Sequence, residues 1–404
     1  METIQQGLNL LITGVEYFWV VYFSISCLYV FLFSVGGHTY KKRNSSTKLQ
    51  LSKIGVFIPA YKEDSVIVDV AHKALTQEYP RDMYDVIVIA DSLQKKTLQK
   101  LKCIDINLVE VVFKNSTKSK ALNAAMAKIE AKYDFIVILD ADNVMESKFL
   151  LKINSAFQNG YRAVQGHRKA KNKNTPYAIL DAASEEINNH IFRKGHRALG
   201  LSSGLIGSGM GFDYKIFKSI MKTNEAIGGF DKVLEFELAK RNIVIEYLQH
   251  AIVYDEKIQK SIDFVNQRRR WLATQIIYSK KYFKIGFKSL ITHKNVTLFD
   301  KLFQMMIPTR VMLLGITWLT TILYIVINFV FEIETQVSSH YWVFNLVTIN
   351  ATLLLALPRS FYNVDTLKAL AYIPSAFLKM MRLLFNLRGA NESFIHTSHG
   401  VIKN

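Results

Sequence analysis

Long uncharged apolar runs lie at both ends of this chain, and they limit the fold more than any other feature. Tyr17 to Val35 holds no charged side chain over 19 positions. At about 1.5 Å per helical residue, that is just enough to cross a hydrocarbon core of about 30 Å. No basic residue precedes the run and no small-x-small cleavage site follows it, so it reads as a span rather than a removed leader. Lys41, Lys42, Arg43 and Lys48 come next, and the positive-inside rule then places the N-terminus outside and the following block in the cytoplasm.

A second uncharged run, Val311 to Phe331, covers 21 residues between Arg310 and Glu332. A third, Tyr341 to Leu357, covers 17 and carries Asn345 and Asn350. Intramembrane amides commonly bond neighbouring helices, which is the preferred reading of this pair; lining a path for a growing polymer is the sharper one. The stretch Lys368 to Lys379, interrupted by Pro374, is too short to span and reads as interfacial or re-entrant. The expected organisation is an N-terminal span (1–40, crossing at 17–35) and a cytoplasmic block (41–271). Amphipathic interfacial helices (272–310), two further spans (311–358, crossing at 311–331 and 341–357) and an interfacial and cytoplasmic tail (359–404) follow.

The 51 Lys and Arg against 33 Asp and Glu leave a net charge of +18, which raises nucleic acid as a partner. Its distribution argues against that. Nine cations and one acid lie between Arg268 and Lys301, and with the four cations after the first span they account for +12. Lys280, Lys284 and Lys288 recur at helical spacing with Tyr282, Phe283, Ile285, Phe287, Leu290 and Ile291 between them, the pattern of a helix lying on anionic headgroups. Only Cys27 and Cys103 are present, which excludes a disulfide-stapled module.

Between Lys53 and Tyr254 the pattern becomes short Val/Ile-rich runs, at 54–59, 86–90, 108–113 and 135–139, separated by helix-length segments. That alternation predicts a doubly wound α/β domain, whose ligand crevice lies at the carboxyl ends of the strands. Acidic residues gather there: Glu63 and Asp64 after the first strand, Asp91 at the end of the second, Asp140 and Asp142 after the fourth. In extended chain, residues two apart point the same way, so Asp140 and Asp142 can offer two carboxylates to Mg²⁺ or Mn²⁺, whose shell substrate phosphates usually complete. An Asp-x-Asp also arises by chance on surface turns; its place directly after a buried strand favours a nucleoside diphosphate site.

These residues resemble the processive, membrane-integrated family 2 glycosyltransferases, the group of cellulose, hyaluronan and chitin synthases. The resemblance covers about residues 50 to 275 and the flanking spans. It implies a GT-A-like mixed α/β domain in the cytoplasm, set between one N-terminal and two C-terminal transmembrane helices. Pro59-Ala60-Tyr61-Lys62-Glu63 is similar to the first nucleotide-binding turn, with Lys62 where Asn is usual. By that match Tyr61, Glu63 and Asp91 contact uridine, Lys118 meets the donor, Asp140 serves donor and metal, and Asp142 holds the metal. Gly207-Ser-Gly-Met-Gly-Phe212 resembles the segment lining the acceptor side, and Asp231 the general base, with Phe230 where an acidic neighbour is usual. An N-cap role for Asp231 is the alternative.

Gln267-Arg268-Arg269-Arg270-Trp271 matches the Gln-x-x-Arg-Trp signature. Arg270 can grip a diphosphate through its guanidinium fork and Trp271 can offer a flat face to a sugar. Phe394 and Thr397, in Phe394-Ile-His-Thr-Ser-His-Gly400, faintly resemble a gating loop, with His399 where Lys is usual. The resemblance implies an inverting, processive transfer from a UDP-sugar to a growing glycan, coupled to export, at a bacterial inner membrane. Three spans are few for a polymer channel, which points to a homo-oligomer or an accessory export subunit. Transfer of one sugar to a lipid-linked acceptor and a noncatalytic membrane scaffold are the competing readings.

Overall fold

A computed structural model describes residues 2–41, 50–129, 133–259 and 261–387. Phe394 and Thr397 lie outside the described residues, as do Lys42, Arg43 and Lys48. The expected apolar runs form strands β1 (Ile54–Tyr61), β2 (Tyr84–Asp91), β3 (Asn107–Val111) and β4 (Phe135–Ile138). They pair in parallel in the order β3-β2-β1-β4. Both faces of this half-sheet are covered, so its strands need apolar side chains in both directions. Val56, Ile58, Val86, Val88 and Val137 point to one core, against helices Ile67–Ala74 and Phe149–Gln158. Phe57, Ile87, Ile89, Ile136 and Ile138 point to the other, against Lys118–Lys128 and Tyr214–Met221.

Four further strands, β5 (Val144–Met145), β6 (Ala163–Ala170), β7 (Met210–Asp213) and β8 (Ile245–Asp255), complete a mixed eight-stranded sheet in the order β3-β2-β1-β4-β7-β6-β8-β5. β7 runs antiparallel to both β4 and β6. The α/β expectation therefore holds, with four strands beyond the four expected ones.

Two helices among the described residues are long and apolar enough to cross a membrane: Asn9–His38, within the helix Glu2–His38, and Arg310–Val330. The third expected span, 341–357, is the helix Ser339–Ala356, which is not one of these two. It packs along the N-terminal helix, with Trp342 fully buried near Phe23 at 5.9 Å between ring centroids. Asn345 donates to Ser24 Oγ at 3.0 Å, whereas Asn350 turns back to the Leu346 carbonyl at 2.7 Å. Both amides thus serve helix structure and packing.

The N-terminal helix is docked on the α/β domain. The Phe33 ring stacks on His196 at 3.7 Å, and Tyr29 Oη donates to Asp300 Oδ1 at 2.6 Å. A Cβ on Gly195 would lie 2.0 Å from the Phe33 carbonyl oxygen, so only glycine permits this approach. Residues Asn189–Gly195 take a π-helical turn here, continuing the helix Pro176–Asn188.

One continuous helix, Ser261–His293, runs through the expected boundary at 271/272. Not all of its aromatics are free to meet lipid: Tyr282 is buried and stacks on Phe236 at 3.8 Å. Phe283, Ile285, Phe287 and Ile291 remain exposed beside Lys280, Lys284 and Lys288. The segment read as re-entrant is two helices, Val364–Leu370 and Ile373–Leu384. Met380 and Leu383 of the second pack with Leu272 and Met312, which makes this a docked amphipathic helix.

Candidate active site

The parallel register sets Tyr61 beside Asp91, the last residues of β1 and β2. Just past them the chain turns sharply: Lys62 and Ser92 have φ of +56° and +58°, and Lys62 N–H donates to the Asp91 carbonyl at 3.1 Å. Asn tolerates this left-handed conformation better than Lys does, which gives a physical reason for the residue usual at this position in the resembled family. Asp91 is 2% exposed and accepts from Ser92 Oγ at 2.9 Å.

Lys118 opens the helix Lys118–Lys128, whose N-cap Thr117 accepts from Lys120 N–H at 3.2 Å. Its ammonium pairs with Asp140, donates to the Gly207 carbonyl at 2.7 Å, and rides 4.9 Å above the Phe230 ring. Phe230, in place of an acidic neighbour, thus supplies an aromatic floor for this cation. Asp140 and Asp142 do not sit in extended chain as expected. They belong to a turn between β4 and β5, closed by Asn143 N–H donating to the Asp140 carbonyl at 3.0 Å. With its amide nitrogen turned toward Asp142, Asn143 donates to both carboxylate oxygens at 3.1 and 3.2 Å and accepts from Ser208 Oγ at 2.6 Å.

Asp231 occupies the first turn of the helix Phe230–Lys240. The N-cap is Gly229 and no side chain caps this end, so the capping alternative for Asp231 falls away. Gly229 has φ +70°, and a Cβ there would lie 2.4 Å from Thr274 on the long helix Ser261–His293. Burial raises the Asp231 pKa; Lys232 opposes the rise, Glu235 adds to it and Lys118 opposes it.

Gln267, Arg270 and Trp271 come from the long helix, and burial lowers the Arg270 pKa. One face of Trp271 is not open to a sugar as expected, because the Arg268 guanidinium lies over it at 4.3 Å. Arg268 is itself paired with Asp181 at 2.7 Å. Tyr61, Glu63, Asp91, Lys118, Asp140, Asp142, Asp231, Gln267, Arg270 and Trp271 all line one cavity of about 590 Å³.

The same cavity is backed by a buried ionic network that no motif announces. Glu185 accepts from Arg168 at 2.6 Å and also faces Arg193 at 3.3 Å and Lys257 at 3.7 Å. Burial opposes its charge, yet Arg168, Lys257 and Arg193 together hold its pKa well below the usual carboxylate range. Asp255 meets Lys257 at 3.0 Å and Arg168 at 3.3 Å, but burial dominates and pushes it up to about 6.

A family model described as "Glycosyltransferase like family 2" matches residues 52–274. The chain belongs to this family. Among curated proteins it is similar to "Beta-monoglucosyldiacylglycerol synthase" of Trichormus variabilis, 26% identical over 225 residues, covering 54% of this chain and 48% of that protein. It is also 26% identical over 262 residues to "Probable glycosyltransferase YdaM" of Bacillus subtilis, covering 60% of each. The chain thus spans about half the length of the first of these relatives. Its fold is similar to that of a mannosyltransferase from Pyrobaculum calidifontis, solved with GDP-Man and Mn²⁺, at a TM-score of 0.51 and 14% identity over 90% of this chain and 96% of that one.

For a family 2 glycosyltransferase the donor set fits a hard divalent cation. Asp140 and Asp142 bring carboxylate oxygens to the cavity, and the Asn143 amide orients Asp142. No group of three His, Cys, Asp or Glu among the described residues forms a closed metal cage. Two carboxylates with diphosphate oxygens completing the shell is the arrangement such an ion favours.

Proposed function

We propose that this glycosyltransferase moves one sugar from a UDP-sugar to a hydroxyl of a membrane lipid, with inversion, at the cytoplasmic face of a bacterial inner membrane. The continuity of the cavity carries this reading. The polar end lies at Tyr61, Asp91 and Asp140, and the same void is walled by Val30, Phe192, Met305, Ile307 and Pro308 where the apolar helices begin. A nucleotide suits the first end and a lipid with its tails among the helices suits the second. The name of the Trichormus variabilis relative points the same way.

In this reading Tyr61, Glu63 and Asp91 hold uridine, and Lys118 and Arg270 face the diphosphate. Asp140 and Asp142 hold Mg²⁺ or Mn²⁺, which when bound neutralises charge developing on the departing UDP. The acceptor oxygen bonds to the anomeric carbon as the bond to the diphosphate breaks, and Asp231 takes the hydroxyl proton. Gln267 orients a sugar hydroxyl, and the open face of Trp271 meets the ring. The N-terminal helix, Arg310–Val330 and Ser339–Ala356 cross the bilayer with the N-terminus outside, the last returning the chain to the cytoplasm, while the Lys280, Lys284 and Lys288 face rests on anionic headgroups.

A second reading, processive polysaccharide elongation coupled to export, is favoured by the Gln267, Arg270 and Trp271 signature on the cavity wall. It calls for a homo-oligomer or an accessory subunit as the exit path. Both readings require the metal, and both are tested by UDP release from a panel of UDP-sugars. Asn143→Ala, which removes the amide holding Asp142, is expected to raise the Mn²⁺ or Mg²⁺ concentration for half-maximal rate by about 10- to 100-fold. Undiminished wild-type UDP release in EDTA would sink the metal assignment.

A further inference from the structure

Arg310 is the first residue of the 16-residue helix Arg310–Ile325, and it lines the cavity at its apolar end. Its guanidinium is held only by neutral groups: it donates to Asn188 Oδ1, and to the Ser184 carbonyl at 3.1 Å and Ser184 Oγ at 2.8 Å. It lies 5.9 Å from the Phe192 ring centroid. Among the described residues no carboxylate forms an ion pair with it.

The neighbouring charges do not make up the deficit. Arg193, next in sequence to Phe192, is 4% exposed and lines the same cavity. Its Nη1 donates to Asn189 Oδ1 at 2.7 Å and to Glu185 at 3.3 Å, while its buried Nε has no hydrogen-bond partner. Glu185, the carboxylate whose charge reaches Arg310, makes no ion pair with it and is already shared by Arg168, Arg193 and Lys257. Thr309, the N-cap of the Arg310 helix, makes no capping bond, and its buried Oγ1 also lacks a partner.

A cavity wall therefore gathers an uncompensated guanidinium, two orphan donors and the positive end of a helix. Burying such a set costs free energy unless an anion completes it. A phosphate matches, since it offers several acceptor oxygens to a guanidinium fork.

We infer that Arg310, Arg193 and Thr309 form a phosphate subsite for the acceptor, so that the preferred acceptor is a lipid bearing both a phosphate and a free hydroxyl rather than neutral diacylglycerol. The inference rests on the lipid-acceptor reading and narrows it. Ile307 and Pro308 precede the subsite and Val30 lines the same cavity, which sets the phosphate where a lipid headgroup enters.

The test uses the full chain in detergent. Short-chain phosphatidylglycerol, whose headgroup carries a phosphodiester and free hydroxyls, the matching diacylglycerol and inorganic phosphate are each titrated by native mass spectrometry, and UDP separately. Phosphatidylglycerol is expected to bind about 10- to 100-fold more tightly than diacylglycerol. Arg310→Gln removes that preference, Arg310→Lys restores most of it, and UDP affinity is unchanged in both. Equal binding of the two lipids by wild-type protein overturns the subsite. So does an Arg310→Gln variant that loses UDP affinity instead, which would give Arg310 to the donor diphosphate. Arg310-dependent binding of inorganic phosphate that does not compete with phosphatidylglycerol also overturns it, in favour of a free-phosphate site. The product separates the two levels of the argument. A glycan ladder with intact Arg310-dependent lipid binding defeats the lipid-acceptor reading alone, and glycosylation of both lipids with equal efficiency defeats the subsite alone.

Discussion

Asp231→Asn is expected to lower turnover by about 10²- to 10⁴-fold while leaving UDP affinity unchanged, the loss typical of removing a positioned general base. The helix carrying Asp231 is fixed at its start by Gly229 against Thr274, so an isosteric amide leaves the backbone in place. The charge of Asp231 is held in a buried position that raises its pKa. A carboxyl with a raised folded-state pKa contributes stability below its unfolded value, near pH 3.9, and that contribution is lost as pH rises through the folded value. At neutral pH the ionised Asp231 is therefore a burden on the fold. Asp231→Asn should melt at the same or a higher temperature than wild type while losing turnover, an opposite movement that a purely structural Asp would not produce. For the same reason kcat/KM rises with pH through a value above the ordinary carboxylate pKa. Glu235→Gln moves that acid limb to lower pH, because Glu235 helps to raise the Asp231 pKa and competes for Lys232.

Glu185→Gln should destabilise the fold by about 3–5 kcal/mol, the usual cost of breaking a buried ion pair from one side. Glu185 is 6% exposed, and its loss leaves Arg168, Arg193 and Lys257 facing one another with only Asp255 among them. The sign with pH is opposite to that of Asp231. The Glu185 pKa is depressed on folding, so its contribution is fully present above the unfolded value, about 4.3, and is lost as pH falls toward the folded value. Thermal melts of wild type and Glu185→Gln should differ most at neutral pH and converge in acid. A constant difference across that range would contradict the network.

The half-sheet β3-β2-β1-β4 was legible because burial on both faces demands runs such as Val86 to Ala90. β6 was not, because after Ala163 and Val164 its buried side chains are polar and satisfied by distant partners. Gln165 donates to the Ser208 carbonyl at 3.0 Å, His167 meets Tyr247 Oη at 2.5 Å, and Arg168 pairs with Glu185. Hydrophobic periodicity cannot register a strand of that kind. The acidic residues at strand ends could be placed from sequence, since the crevice of a parallel sheet has a fixed location. Their local geometry could not, and Asp140 and Asp142 sit in a turn stabilised by Asn143 and Ser208.

Charge counting along the chain assigned the basic run after Arg268 to lipid and diphosphate contacts. Folding gives its members different contacts: Arg268 and Arg270 both line the cavity, but Arg268 is paired with Asp181 and lies over Trp271. Arg310 looked like a flanking charge of a span. Only the fold reveals that its side chain lines the cavity with neutral partners.

Product mass distinguishes transfer of one sugar to a lipid from growth of a glycan. The purified chain is given a UDP-sugar, Mn²⁺ and a short-chain phosphatidylglycerol, which carries both a phosphodiester and free hydroxyls, with diacylglycerol in parallel, and the lipid products are weighed by mass spectrometry. The account predicts a lipid heavier by one hexose residue, formed in step with UDP release and absent with EDTA. A ladder of hexose increments, or UDP release with no glycosylated lipid, would contradict it.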